Sequence, residues 1–366
     1  MLEIKIYGTK TPGYQLAKAK LLHFLEKAGI EFSLKEVTNI SDIIKDNVAS
    51  VPAVKVNDEL LFEIKTNGNY NGSLRDALQH ILQLNNYGNM TKILVPTDFS
   101  EASLNAYNFA HHLAKEWSGV IKLTHIYYPS ATEVNQFVVV NDDAEKFARE
   151  RLSDLVKSLN QDWIGNFVEE PMVEGVFKIG FPVMELTDMS KEKDTVIVMG
   201  TTGVGGAFKK VFGSFSMDMI EKSHCPLFLI PPGAGFSSIS RVTFLSEAIE
   251  HDKVYLDYVS KLCKKSCPKF RIVHLNTDDD DKFNESTTRS VADEFFDPEM
   301  YEVEIISTKD LFDSIKQVVS NDVNELVVLT PRHRNLFQSL FHKSVTEFAA
   351  LNSVSPLLIL TEKSVQ

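Results

Sequence analysis

Four apolar stretches of this chain occur twice, in the same order. KILVPT at Lys92–Thr97 parallels RVTFLS at Arg241–Ser246, and VIKLTHI ending at Ile126 parallels FRIVHL, so that His125 is matched by His274. TVIVMGTTG from Thr195 parallels ELVVLTPRH from Glu325, and CPLFLIPP from Cys225 parallels SPLLILTE from Ser355. The early pairs are offset by 149 residues and the late pairs by 130, so the second copy is shorter by 19 residues between its second strand and its fourth. A repeat of a whole domain constrains the fold more than either copy alone, because every strand must serve in both. In the first copy the pattern predicts strands at 92–96, 120–126, 167–173, 195–199 and 226–231, with helices at 101–117, 142–159, 182–191 and after 214, and a long loop near 129–141. Strands alternating with helices imply a parallel sheet covered by helices on both faces.

Between the fourth strand and the last helix of the first copy lies GTTGVGGAFKKVFGSFS, Gly200 to Ser216. Its glycines fall as G-x2-G-x9-G-S at Gly200, Gly203, Gly213 and Ser214. Glycine permits positive φ and lets a ligand approach the backbone. A helix N-terminus offers unpaired N–H groups and the positive end of a dipole, which suits a phosphate. The spacing therefore describes a cradle for an anionic ligand at the carboxyl end of a strand, where open α/β sheets bind ligands. It is neither a Walker P-loop nor a Rossmann glycine pattern.

This stretch resembles the nucleotide-binding signature of the ATP-binding branch of the universal stress protein family. Two further marks agree: VPTDFS at Val95–Ser100, where the family begins with a strand ending in Val-Pro-x-Asp, and Gly180-Phe181-Pro182 before the third helix. The resemblance covers residues 91–232 and implies a five-stranded parallel sheet of order 3-2-1-4-5, of the adenine nucleotide alpha hydrolase-like type. It implies an ATP site, or one for ADP or AMP, with magnesium, formed by Pro96, Thr97, Asp98, Ile126, Met199, Gly200, Gly203, Gly213, Ser214 and Phe215. Asp98 inherits contact with the adenine or ribose, and Ile126 sits where the backbone meets the adenine edge. The plainer reading of this segment is that Asp98 or Ser100 caps helix 101–117; Ser100 suits the cap, and Asp98 the ligand.

The second copy, residues 240–366, has lost these marks. Gly200 becomes Thr330, Gly203 becomes His333, Gly213 becomes Lys343 and Asp98 becomes Glu247; Ser214 alone keeps its type, as Ser344. Arg332, Arg334 and Lys343 leave room for weak anion binding but read more simply as exposed basic residues. Both last strands, Pro226–Ile230 and Pro356–Leu360, are apolar edges, and an uncovered apolar edge is an aggregation liability. The two copies are expected to cover each other as an intramolecular pseudo-dimer, with a homodimer as a further possibility.

Residues 1–88 read β-α-β-α-β-β-α, similar to a thioredoxin or glutaredoxin fold. Val51-Pro52 stands where that family places its cis-proline, and Thr11 and Tyr14 stand where it carries Cys-x-x-Cys. With no cysteine in these residues, thiol–disulfide exchange is excluded, leaving docking or a structural appendage. Polar, Gly-containing segments at 85–90 and 231–240 read as linkers. The chain's three cysteines, Cys225, Cys263 and Cys267, form no disulfide framework, and the acidic run Asp278–Asp281 lacks calcium-loop spacing.

The chain has 366 residues, 43% of them hydrophobic, and a net charge of −12 from 38 basic and 50 acidic side chains. That balance disfavours nucleic-acid binding. No signal pattern and no apolar run of membrane length appears, so the expectation is a soluble, cytoplasmic protein without a membrane partner. Three functions are in play: an adenine-nucleotide-binding regulator of the stress response with an unknown protein client, a nucleotide-free scaffold, and a weak ATPase. A dedicated enzyme is the poorest fit, because hydrolysis needs a positioned base or water and Asp98 is committed to the nucleoside; Lys209 and Lys210 could at most neutralise outer phosphates.

Overall fold

A computed structural model describes residues 2–64, 70–71, 78, 80–81, 90–128, 132–134, 137–139, 142–160, 170–201, 214–234, 239–246, 249–266, 269–277, 285–308, 310–319, 325–331 and 353–365. The chain forms two compact units. One comprises Met1–Lys92 with Trp117–Val120 and Val156–Val173; the other comprises Ile93–Glu116, Ile121–Leu155 and Glu174–Gln366.

The first unit contains β1 (Leu2–Tyr7), α1 (Pro12–Lys27), β2 (Phe32–Val37), α2 (Ile40–Lys45), β3 (Ala53–Val56), β4 (Glu59–Ile64) and β5 (Tyr70–Asn71), in a sheet of order β2-β1-β3-β4-β5. β1 runs parallel to β2 and antiparallel to β3, and the Val51–Pro52 peptide is cis. Local chemistry sets each boundary. Thr11 caps α1 by accepting from Tyr14 N, and Pro12 takes the first helical position, where no N–H is needed. The helix ends in a Schellman motif: Gly29 at φ +62° lets Gly29 N reach Glu26 O, and Ile30 N reach Leu25 O. Asn57 and Asp58 both have positive φ, the backbone of a two-residue hairpin whose twist matches its strands.

The buried face of α1, including Tyr14, Leu21 and Leu25, packs on Ile4, Ile6, Val54 and Val56 of the sheet. Tyr14 is fully buried with its hydroxyl donating to Glu36 at 2.6 Å, and a Cβ at Gly8 would come within 2.1 Å of its ring. Thr11 and Tyr14 are thus a helix cap and a core residue. The helix expected at 73–84 falls almost wholly outside the described residues, as does most of the 85–90 segment.

The second unit is built on β6 (Lys92–Pro96), α3 (Glu101–Trp117), β7 (Val120–Tyr127), α4 (Asp142–Leu159), β10 (Val173–Ile179), α5 (Pro182–Met189), β11 (Thr195–Gly200), α6 (Ser214–Lys222) and β12 (Leu227–Ile230). The repeat follows as β13 (Arg241–Ser246), a 3-10 turn (Ile249–His251), α7 (Lys253–Ser266), β14 (Lys269–Thr277), α8 (Glu285–Ala292), β15 (Tyr301–Thr308), α9 (Leu311–Val319), β16 (Glu325–Leu329) and β17 (Leu357–Ile359).

Ten strands form one sheet of order β10-β7-β6-β11-β12-β17-β16-β13-β14-β15. A five-stranded parallel sheet was expected for each copy; the observed sheet is single and mixed, because β12 and β17 pair antiparallel with Phe228 opposite Leu358. Hydrogen bonding along these two strands saturates edges that would otherwise be exposed and apolar. A single core lies across the junction, in which Ile197, Met199, Leu227 and Leu229 of the first copy share a cluster with Val327, Leu329, Leu357 and Ile359 of the second.

Three details differ from the sequence expectation. The third strand of the first copy is Val173–Ile179 and not 167–173. The loop near 129–141 contains a small hairpin, β8 (Thr132–Val134) with β9 (Phe137–Val139), whose valines favour extended backbone. About half of the missing 19 residues of the second copy are accounted for by one helix, since α8 has 8 residues where α4 has 18. Among the described residues no helix is long and apolar enough to cross a membrane.

Candidate functional site

Three strand ends and three helix starts meet around a cavity of about 390 Å³. Pro96 closes β6, Ile126 lies near the end of β7, and Met199 and Gly200 close β11. Ala102 and Ser103 belong to the first turn of α3, Pro182 opens α5, and Phe215 and Ser216 follow the first residue of α6. The N-terminal end of a helix carries the positive end of its dipole, so this arrangement brings three such ends to one space.

The β6–α3 turn is fixed by its own side chains. Ser100 caps α3, its hydroxyl accepting from Ser103 N at 3.2 Å. Asp98 Oδ1 accepts from Ser100 N at 3.0 Å, and Thr97 Oγ1 accepts from Phe99 N at 3.0 Å while lying 3.0 Å from Ser103 Oγ. His125 Nδ1 sits 2.7 Å from Thr97 O, tying the end of β7 to the end of β6. Ser100 is therefore the cap, and Asp98 is left at the rim, exposed. Partial burial against the turn is the largest influence on the Asp98 carboxyl and pushes it up. Hydrogen bonds from the Ser100 hydroxyl and backbone, and from Ser103, outweigh burial together and hold the carboxyl below its ordinary range.

Gly200 and Gly180 meet separate needs. A Cβ on Gly200 would come within 2.3 Å of Ala102 O and 2.7 Å of its carbonyl carbon, so the glycine lets β11 end directly against the first turn of α3. The spacing pointed to ligand approach; at Gly200 the structure shows backbone packing. Gly180, at φ +155°, donates to Tyr127 O at 3.1 Å and leads through Phe181 into Pro182 of α5; a Cβ there would come within 2.8 Å of Glu185 Oε1.

Of the residues that the sequence pointed to, Pro96, Thr97, Asp98, Ile126, Met199, Gly200 and Phe215 line the cavity. Ser214 is the first residue of α6, next to the lining Phe215. Gly203 and Gly213 lie outside the described residues, as do Lys209, Lys210, Glu247, His333 and Lys343. Sequence reasoning did not assign Ser100, Ala102, Ser103, Thr124, His125, Pro182, Leu186 and Ser216 to the cavity. Two signals pointed to some of them: first-turn positions after a capping Ser, and Leu186 four residues from Pro182 on one helical face. Cys225 plays no part; it is buried and its thiol is pushed up to about 12 by that burial.

The profile of the universal stress protein family matches residues 89–231. Universal stress protein MJ0531 of Methanocaldococcus jannaschii is 30% identical over 149 residues, a stretch that is 38% of this chain and 81% of that protein. Universal stress protein YxiE of Bacillus subtilis is 28% identical over 145 residues, 38% of this chain and 97% of its own length. A universal stress protein from Archaeoglobus fulgidus has a crystal structure that matches 74% of this chain and 98% of its own at a TM-score of 0.56 and 19% identity, a likeness of fold that reaches well beyond the profile match. With the cavity where three strands end and three helices begin, these matches show that the chain belongs to the universal stress protein family.

Proposed function

We propose that the first repeat binds one adenine nucleotide, ATP in the first instance, and that the protein acts as a nucleotide-dependent regulator in the stress response. The observation that carries this reading is the cavity's composition. Pro96, Ile126, Met199 and Phe215 offer apolar walls to a base, while Asp98 at the rim offers an acceptor to a sugar and the hydroxyls of Thr97, Ser103 and Thr124, each bonded within the protein, keep that side polar. A cavity of about 390 Å³ falls within the range of small-molecule sites. An ionised Asp98 accepts hydrogen bonds from ribose hydroxyls or an adenine amino group. Phosphates would then extend toward Ser214 at the start of α6, whose N-terminal N–H groups suit an anion; Gly203 and Gly213 enter this reading through their spacing in the sequence alone. Magnesium would balance the phosphate charge there. The reading is one of binding: the His125 ring is tied to Thr97 O, and no step of hydrolysis is assigned to it.

In the same reading the chain has three domains, 1–88, 91–232 and 240–366. The last two form an intramolecular pseudo-dimer, supported by the β12–β17 pairing and the shared core. A fragment of residues 91–232 is then expected to dimerise through its uncovered β12; a strictly monomeric fragment in sedimentation velocity would contradict this. The first domain is read as thioredoxin-like without redox activity, in keeping with Thr11 as a cap and Tyr14 as core, and serves either in docking or as a structural appendage. The site itself is tested by denaturing the purified protein and identifying released nucleotide by HPLC. ATP, ADP or AMP at about one per chain supports the proposal, and a chain that neither releases nucleotide nor binds added ATP refutes it.

A further inference from the structure

Phe99 sits between Asp98 and Ser100, both of which line the cavity, yet it does not line it. Its φ is +64°, a left-handed backbone that a bulky residue rarely adopts. Such outliers persist only where their surroundings over-determine them. Here the surroundings are specific. The Phe99 ring lies 4.6 Å from the His125 ring, and the Arg151 guanidinium lies over the Phe99 ring at 4.4 Å. His125 in turn meets Phe177 at 5.7 Å, and Phe177 carries the Arg149 guanidinium at 4.0 Å. Two arginines of α4 thus hold a chain of rings that ends at the rim of the cavity. The second repeat, which has lost the glycines, has Ala248 in place of Phe99 and a much shorter helix in place of α4.

We infer that Arg151 and Phe99 are positioning residues for the ligand site: Arg151 holds the Phe99 ring against His125, the held ring keeps the left-handed turn, and the turn aims Asp98 and Ser100 into the cavity. The inference rests on the nucleotide reading above. No ligand contact is required of either side chain, since neither lines the cavity. What they supply is preorganisation, so their loss lowers affinity by letting the turn relax before binding.

The distinguishing variant is Phe99→Gly. Glycine adopts the left-handed turn without steric cost, whereas alanine does not. Affinity for ATP with magnesium, measured by calorimetry on the full chain, should therefore fall in the order wild type, Phe99→Gly, Phe99→Ala, with the alanine variant weakened about tenfold or more. Arg151→Ala should weaken binding by about threefold, as for one exposed cation–π contact, and should add little to Phe99→Ala in the double variant. Arg151 is exposed, so its replacement leaves the fold intact, which a matching thermal midpoint confirms. Equal loss in Phe99→Gly and Phe99→Ala would overturn the inference, because the ring would then act by touching the ligand. Wild-type affinity in Phe99→Ala, or in Arg151→Ala, would overturn it as well. A wild-type chain that binds no nucleotide would instead refute the nucleotide reading itself, and this inference with it.

Discussion

The two repeats share one scaffold and differ in what they place at its rim. In the first, Thr97 at the end of β6 lies 3.0 Å from the Ser103 hydroxyl, and His125 Nδ1 lies 2.7 Å from Thr97 O. In the second, Ser246 at the end of β13 donates to Asp252 at 2.6 Å, and His274 Nδ1 lies 3.0 Å from Ser246 O. The offset of 149 relates every one of these residues to its counterpart. The helix starts do not correspond. α3 begins at Glu101 behind the capping Ser100, whereas α7 begins at Lys253, the counterpart of Leu104, after a 3-10 turn in which Ile249 is buried where the first repeat has Ser100. Bonds that tie strand ends together recur in both copies. Ser100, Asp98 and Gly200, which line the cavity, are replaced in the second by Ile249, Glu247 and Thr330. A paired His is therefore scaffold, and the unpaired differences mark the site.

The contrast breaks most visibly under substitution in the core. Arg271, counterpart of Lys122, pairs with the buried Glu325 at 2.8 Å and with Glu304 at 2.9 Å, and Thr243 donates to Glu325. Arg271→Ala strands a buried carboxylate and should cost about 3–5 kcal/mol in denaturant unfolding. Lys122 pairs with the much more exposed Glu192 at 3.3 Å, and Glu192→Ala should cost less than about 1 kcal/mol. Comparable costs would mean that the two repeats are not differently stabilised at this position.

Gly200→Ala comes next. Its Cβ has backbone in its way, and such overpacking costs about 1–3 kcal/mol; ATP affinity should fall with it as Ala102 is displaced. Thr330→Gly, at the matching position of the second repeat, should leave ATP binding unchanged. A smaller effect concerns acid. Asp98 is held below the ordinary carboxylate value of about 3.9. Its stabilisation is thus fully present above that value and is lost as pH falls through the lower folded value. Asp98→Asn should flatten stability against pH below about 4 and leave the curve at neutral pH unaltered in slope. A change confined to higher pH would contradict the assigned direction.

Much of this was legible in the sequence, and the reasons are physical. The repeat fixed which apolar runs are strands, because a wrong strand must fail in two places at once. Val-Pro-x-Asp and Gly-x-Pro located two of the three helix starts around the cavity. The third strand was displaced because FVEEPMV, residues 167–173, is as apolar as VEGVFKI, residues 173–179, and Pro171 only weakly separates them. The joining of the sheets could be anticipated from apolar edges, but the register that sets Phe228 opposite Leu358 could not. The Phe99 turn was invisible, since nothing in DFS announces a positive φ at an aromatic residue and the rings that hold it lie far away in sequence.

The central claim, one nucleotide per chain in the first repeat alone, is tested most directly by titrating ATP with magnesium into the wild-type chain, Gly213→Val, Asp98→Ala and Lys343→Val. The account predicts one site per chain. Gly213→Val should remove it by crowding the backbone that must approach the phosphates. Asp98→Ala should weaken it by about 1–3 kcal/mol through a lost hydrogen bond to a charged group, and Lys343→Val should leave it unchanged. Two sites per chain, or binding that survives Gly213→Val and is lost in Lys343→Val, would contradict the account by moving the site to the second repeat.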